Sequence, residues 1–487
     1  MLSELVSFKS VKAAPAGNQP FGEEIHKAFS YMLARAKQDG FEVFDADGYG
    51  GHIEWPGVIT DEKGEIISAA EETLGVAVHL DVVPAGDGWT YDPWGGEVFD
   101  GRMYGRGTTD NKGAAASVYF AMKALKEAGY TPAKNIRLII GLDEETGWSG
   151  MEKYFEKASA PDFGFTPDSE FPVINGEMGI LVFEIAKKLE ANHENGLILR
   201  SIAGGNAPNM TPDHCRAILV FEGAGSKAGK PRRKSKAKAA GKEVALRNKA
   251  FTLVKETAID YSKHSSGKLS CKGAGNSLEV HAQGLSAHGA QPWKGMNAIS
   301  ILIDFLCTLP IANESAKDFI DFYKTHIGFE TDGKNLGIAM SDETSGPLIV
   351  NIGKISLGRE AAVLTVNARY PISVKEDEVY EALRPALDKN GLGVAKKSCM
   401  APLFYPPEEP FIQTLMEVYR NNTGDAHSKS RIIGGGTYAR AFRRTVAFGP
   451  RFPHEEDIAH QKDEYILLDS LMDAAQIYAD AIYRLSG

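Results

Sequence analysis

Residues 74–84 read Leu-Gly-Val-Ala-Val-His-Leu-Asp-Val-Val-Pro. The stretch from Leu74 to Leu80 is apolar, with Val76 and Val78 inside it, and is short enough for a buried strand. Residues 135–142 form a second such run, carrying Ile136, Leu138, Ile139 and Ile140. Between the two, residues 114–128 hold helix formers with apolar residues three and four apart. Gly129 follows, where a helix stop is expected. Strand, crossover helix and strand in this order predict an α/β domain with parallel strands.

Further along, the pattern changes. Residues 181–185, 217–222, 277–283 and 362–369 read as strands, and 296–309 and 376–387 as helices. This mixture predicts a separate α+β domain. Residues 411–420 and 466–485 then read as helices, the last one amphipathic. The expected fold is an α/β domain of residues 1–180 and 385–487, with a mixed, mostly parallel sheet flanked by helices. An α+β domain of residues 181–384 interrupts it.

Composition limits what such a chain does. Its 487 residues exceed one ordinary core and fit two or three domains. With 54 Lys and Arg against 64 Asp and Glu, the net charge of −10 argues against nucleic acid as the main partner. Cys215, Cys271, Cys307 and Cys399 show no CxxC spacing, which disfavours a thiolate zinc site or a disulfide scaffold. The start, Met-Leu-Ser-Glu-Leu-Val, lacks the basic and apolar regions of a signal peptide. No run of about 18 apolar residues is present to span a membrane. A cytoplasmic location is the expectation. Residues 223–249 are rich in Lys and Arg but hold no aromatic residue for base stacking before Phe251. They are expected to form a solvated basic helix or a surface insertion.

Four polar islands stand at strand ends or in glycine-rich turns. His79 and Asp81 lie two apart and project to the same side of an extended chain. A histidine there is either structural or a metal ligand steadied by the carboxylate. Asp110, in Gly105-Arg106-Gly107-Thr108-Thr109-Asp110-Asn111-Lys112-Gly113, either caps a helix or binds a cation. Asp143-Glu144-Glu145 ends an apolar strand, as a solvated acidic turn or as a compensated charge cluster. Asp168 closes another expected strand, residues 162–167, and His460 precedes the last helix with His454 as a nearby competitor. Together, His79, Asp110, Glu145, Asp168 and His460 make an imidazole and carboxylate set suited to zinc, manganese or cobalt. Two ions sharing one carboxylate would use all five. Glu144 is then left as a base for water.

The motifs HLDVVPAGDGW, GRGTTDNKG, GLDEETGW, PDSEFPVINGE, SAHGAQPWKGMNA and AHQKDE run in order from residue 79 to residue 464. In them the chain resembles the co-catalytic two-zinc exopeptidases and deacylases, most closely the bacterial peptidase V and manganese-dependent dipeptidase branch. The resemblance implies that Asp110 bridges two divalent ions. His79 and Asp168 would complete one, and Glu145 and His460 the other. It implies Glu144 as general base, and Asp81 as support for His79 and a contact for the substrate amine. It also implies a cis peptide at Asp110-Asn111. The middle domain would be a lid whose His288 stabilises the oxyanion. Asn209 and Arg369 would hold the substrate carboxylate, with backbone N–H groups of Gly435 and Gly436 nearby.

The implied substrate is a dipeptide, held at both ends and therefore short. The implied cofactors are two divalent ions, zinc first and manganese or cobalt as alternatives. The implied assembly is a monomer or homodimer. Two other functions stay open: an N-acyl amino-acid deacylase of the desuccinylase or deacetylase type, and a metal-binding relative without catalysis.

Overall fold

A computed structural model describes residues 1–190, 195–223, 233–265 and 267–487, with 233–240 described for their backbone alone. The chain divides into two compact units, Met1–Gly176 with Leu403–Gly487, and Glu177–Pro402.

The apolar runs become the middle of the first unit's main sheet. In spatial order its strands are Glu42–Asp45, Gly50–Trp55, Asn135–Gly141, Thr73–His79, Phe163–Thr166, Thr445–Phe448, Val173–Glu177 and Leu403–Phe404. The four strands from Asn135–Gly141 to Thr445–Phe448 run parallel to one another. Their neighbours on both sides pair antiparallel. The sheet is therefore mixed with a parallel centre.

Every residue of Thr73–His79 is buried, so both of its faces are covered. Alternation sorts them. Val76 and Val78 enter a large core with Leu138, Ile140, Phe165 and Phe448. The helices Glu23–Gln38, Lys112–Glu127, Pro410–Thr423 and Leu468–Ser486 cover this face with Phe29, Tyr119, Leu415 and Tyr478 among others. Ala77 and Ile139 point the other way, into a smaller cluster with Met151, Tyr154, Tyr438 and Phe442. Each fully buried Val, Ile or Phe contributes roughly 1.5–3 kcal/mol by leaving water.

This topology contains a reversal of strand order. From Thr73–His79 the chain crosses through helix Lys112–Glu127 to one neighbouring strand, Asn135–Gly141. It then crosses through Ser149–Phe155 to the neighbour on the opposite side, Phe163–Thr166. The sheet grows in both directions from Thr73–His79, and ligand sites form outside the carboxyl ends of strands at such a reversal.

The second unit is built on an antiparallel sheet of eight strands. Its spatial order is Lys268–Ala274, Ser277–Gln283, His214–Glu222, Gly196–Gly204, Ile349–Leu357, Ala361–Tyr370, Gly179–Lys188 and Gly393–Met400. Helices Ala298–Leu306, Glu314–His326 and Glu376–Lys389 pack on it around one core that includes Phe183, Leu219, Phe305, Phe319 and Leu383. A helix also spans Arg233–His264, and its Val254 and Ala258 join this core. Of the basic stretch, residues 224–232 lie outside the described residues. Among the described residues, no helix is long and apolar enough to cross a membrane.

The boundaries differ from the expected ones. Residue 385, the expected return to the first domain, lies inside helix Glu376–Lys389. Strand Gly393–Met400 then pairs with Gly179–Lys188, so the second unit runs to Pro402. The cause is physical. Gly393–Met400 is an edge strand exposed at nearly every position and carrying Lys396 and Lys397. Edge strands of this kind show no apolar alternation to read.

Candidate active site

The polar islands gather at the carboxyl ends of the parallel strands. His79 ends Thr73–His79, Glu144 and Glu145 follow Asn135–Gly141, and Asp168 follows Phe163–Thr166. Asp110 lies in the turn before helix Lys112–Glu127. It is not the helix cap, since Asn111 holds that position. His460 comes from the loop between Pro450–Arg451 and Tyr465–Leu467.

Asp110 stands between the two imidazoles. Its Oδ1 is 2.9 Å from His79 Nε2, and its Oδ2 is 3.1 Å from His460 Nε2. Glu145 Oε1 lies 3.0 Å from His460 Nε2, and Asp168 Oδ1 lies 3.5 Å from His79 Nε2. Two triads have potential ligand atoms within 4.8 Å of one another: His79, Glu144 and Asp168, and Asp110, Glu145 and His460. Glu144 thus lies beside His79 and Asp168. His454 joins neither triad and packs against the Phe452 ring.

Electrostatics mark the cluster as short of positive charge. Burial, then the charge of Asp168, pushes the Glu144 carboxyl well above the carboxylate range. Burial, then Asp110, raises Glu145 as well. Burial opposes ionisation of Asp110, but hydrogen bonds with His460 and His79 outweigh it and hold this carboxyl far down. Burial works against a charge on His460, yet Asp110 and Glu145 push it up to about 11. Burial is likewise outweighed at His79, by Asp168 and Asp110. Four carboxylates that draw protons onto two imidazoles fit divalent cations, which satisfy an oxygen and nitrogen set without thiolates.

A second tier of residues holds the first in place. The sequence reading gives Asp81 two tasks, supporting His79 and meeting a substrate amine. In the structure Asp81 is 1% exposed. Its Oδ1 and Oδ2 accept the N–H groups of Glu144 and Glu145, each at 3.1 Å. Oδ1 also lies 3.5 Å from His79 Nδ1. These contacts tie Asp81 to the acidic turn and to His79. Asn111 Nδ2 donates to Asp168 Oδ1 at 2.9 Å and to the Pro167 carbonyl at 2.7 Å. The Asp110-Asn111 peptide is cis.

Glu464 was not singled out from the sequence. It is fully buried and ion-paired with buried Arg106. It also accepts N–H groups from Gly107 at 3.1 Å, Thr109 at 2.9 Å and Asp110 at 3.3 Å. One carboxylate therefore shapes the turn that presents Asp110. Both members of the pair sit inside motifs already quoted, and a Glu four residues after a candidate ligand was the available signal. Tyr438 is another such residue, with its ring 6.2 Å from that of His79 and 5.2 Å from that of Trp148. A Cβ at Gly141 would come within 2.2 Å of the Tyr438 hydroxyl, so the strand leading to the acidic turn needs glycine there. Gly435 and Gly436 lie in the turn between strand Arg431–Ile433 and the short helical turn Tyr438–Arg440 that carries this tyrosine.

The remaining sequence candidates belong to the second unit. Asn209, His288 and Arg369 all lie in it. Met210–Thr211 pairs antiparallel with Ala287–His288, with Met210 opposite His288. The Gly289 N–H donates to the Asn209 carbonyl at 2.7 Å. Arg369 lies buried on strand Ala361–Tyr370, opposite Ile349 and Ile180.

Comparison with known proteins agrees with this chemistry. A relative in Staphylococcus haemolyticus, named "Putative dipeptidase SH1171", is 34% identical over 496 residues, covering 99% of this chain and 96% of that protein. "Putative dipeptidase YtjP" of Bacillus subtilis is 33% identical over 472 residues, covering 96% and 92%. Among solved structures, human carnosine dipeptidase 1 shares the fold with a TM-score of 0.54 at 16% identity, covering 100% of this chain and 95% of that one. Aminoacylhistidine dipeptidase from Vibrio alginolyticus shares it with a TM-score of 0.54 at 14% identity, covering 100% and 96%. The profile of peptidase family M20/M25/M40 matches residues 75–484, and the chain belongs to that family.

Proposed function

We propose that this peptidase-family hydrolase is a two-metal dipeptidase of the peptidase V type, cutting short peptides with free amino and carboxyl ends. The observation that carries the proposal is Asp110, which directs one carboxylate oxygen toward each of two histidines. That is the arrangement of a bridging ligand. His79 and Asp168 would complete one site, and Glu145 and His460 the other. Bound there, two divalent ions, zinc or alternatively manganese or cobalt, would polarise the scissile carbonyl and acidify water.

The side chains would do the rest. Glu144 takes a proton from water and returns it to the leaving amine. His288 stabilises the developing oxyanion. Arg369 and Asn209, with backbone N–H groups of Gly435 and Gly436, hold the carboxylate end of the substrate. A fixed carboxylate end limits the length of the part that leaves. The names of the two bacterial relatives support dipeptides as the substrate class. A cytoplasmic location belongs to the same reading and is checked by cell fractionation.

The test is a metal-titrated assay with zinc and manganese side by side, on free dipeptides and on N-acyl amino acids. Dipeptide cleavage is the expected result. Preference for N-acyl amino acids would reassign the enzyme as a deacylase. Hydrolysis of neither by metal-loaded protein would overturn the proposal.

A further inference from the structure

Asn351 sits in the middle of strand Ile349–Leu357 and is 2% exposed. A buried side-chain amide must find partners for its donors and acceptor. Asn351 finds them in one loop. Its Nδ2 donates to the Pro208 carbonyl at 2.9 Å and to the Met210 carbonyl at 3.0 Å. Its Oδ1 accepts the Thr211 hydroxyl at 3.0 Å. The two carbonyls can only accept, so they fix which end of the amide is Nδ2. The two carbonyls flank Asn209.

The strand is shaped to receive this loop. Its pairing with Ala361–Tyr370 shifts register between Ile352 and Lys354. Gly353 lies at that bulge, and a Cβ there would come within 2.3 Å of the Pro208 carbonyl oxygen. The loop thus rests on a bare backbone and is pinned from below by Asn351. From the loop, contact passes onward to the turn that bears His288, because Gly289 N–H donates to the Asn209 carbonyl and Met210 pairs with His288.

We propose that Asn351 is a positioning residue for substrate recognition, setting Asn209 directly and the His288 turn through it. The inference rests on the roles proposed above for Asn209 and His288. Its effect is on discrimination. A misplaced Asn209 weakens the grip on a substrate carboxylate and leaves the metal residues, which belong to the other unit, unchanged.

The experiment compares each free-acid dipeptide with its C-terminal amide in metal-loaded full-length enzyme. Asn351→Asp replaces the donor by an oxygen facing two carbonyls. It is expected to cut the acid-to-amide ratio of kcat/KM by at least about tenfold, chiefly through KM, with metal content unchanged. Thr211→Val is the milder variant, removing only the hydroxyl that donates to Asn351 Oδ1, and is expected to move the ratio the same way. It serves if Asn351→Asp does not fold. Arg369→Ala is the control. If it lowers the ratio while the folded Asn351 and Thr211 variants keep the wild-type ratio, the positioning role is overturned and the carboxylate clamp stands. If all three keep the wild-type ratio, the clamp fails and the positioning role falls with it.

Discussion

Replacing Glu464 by Gln separates the frame of the site from its ligands. The carboxylate has two jobs, compensating Arg106 and accepting N–H groups of the turn that carries Asp110. Gln keeps the size and one acceptor oxygen but removes the charge. Arg106 would retain only the Ala85 carbonyl at 3.4 Å and the face of Trp89 at 5.2 Å. Removing one partner of a buried ion pair costs about 3–5 kcal/mol. The retained acceptor places Glu464→Gln near the lower end, at about 3 kcal/mol. A support behind a metal ligand also carries a penalty of roughly 10–100-fold in metal affinity when lost. Urea unfolding followed by tryptophan fluorescence measures the first effect. Four of the five tryptophans, Trp55, Trp89, Trp94 and Trp148, lie in the unit concerned, and only Trp293 reports on the other. Metal titration of the folded variant measures the second. A variant that unfolds early but binds metal with wild-type affinity would refute the link from Glu464 to Asp110. Wild-type stability would refute the ion-pair argument itself.

Other outcomes follow from the same geometry. Glu144→Gln should lower turnover by about 10²–10⁴-fold with metal content intact; loss of bound metal would make Glu144 a ligand instead of the base. Chelation should lower the thermal midpoint, because Asp110, Glu144, Glu145 and Asp168 would lose their compensating charge; an unshifted melt would exclude a structural contribution from bound ions. Burial, then the charge of Arg137, holds the His52 imidazole down at about 3 against an ordinary 6.5. The unfolded chain therefore takes up the proton first, so the His52 contribution is complete above pH 6.5 and is lost as pH falls toward 3. By pH 5 the loss is about 2 kcal/mol, and His52→Phe should flatten the pH dependence of unfolding between pH 7 and 5. An unchanged slope would remove His52 from that role.

The centre of the fold was legible because parallel strands buried on both faces must be continuously apolar, as in Thr73–His79 and Asn135–Gly141. The candidate ligands were legible for the complementary reason, since carboxylates ending such strands need compensation. Glu464 was harder to see, because Arg106 lies 358 residues away and nothing local distinguishes a buried glutamate from a solvated one. Asn351 was hidden in the same way. Its partners at Pro208 and Met210 are backbone carbonyls, which leave no mark in the sequence. The mistaken boundary at residue 385 came from a strand with no buried face to betray it.

The strand Thr445–Phe448 fits between Phe163–Thr166 and Val173–Glu177, although roughly 280 residues of synthesis separate it from the first of them. At about 5–20 residues per second, the ribosome leaves that slot open for roughly 15–55 seconds. During this interval Phe165 lacks its partner Phe448, and an unpaired, apolar strand edge is on offer to any other chain. The whole intervening unit is made in the meantime, with a core of its own. His460 emerges later still, so a nascent chain holds His79 and the carboxylates of the proposed metal site long before the second imidazole arrives. A chain that stops between residues 169 and 459 holds four of the five proposed ligands and lacks His460.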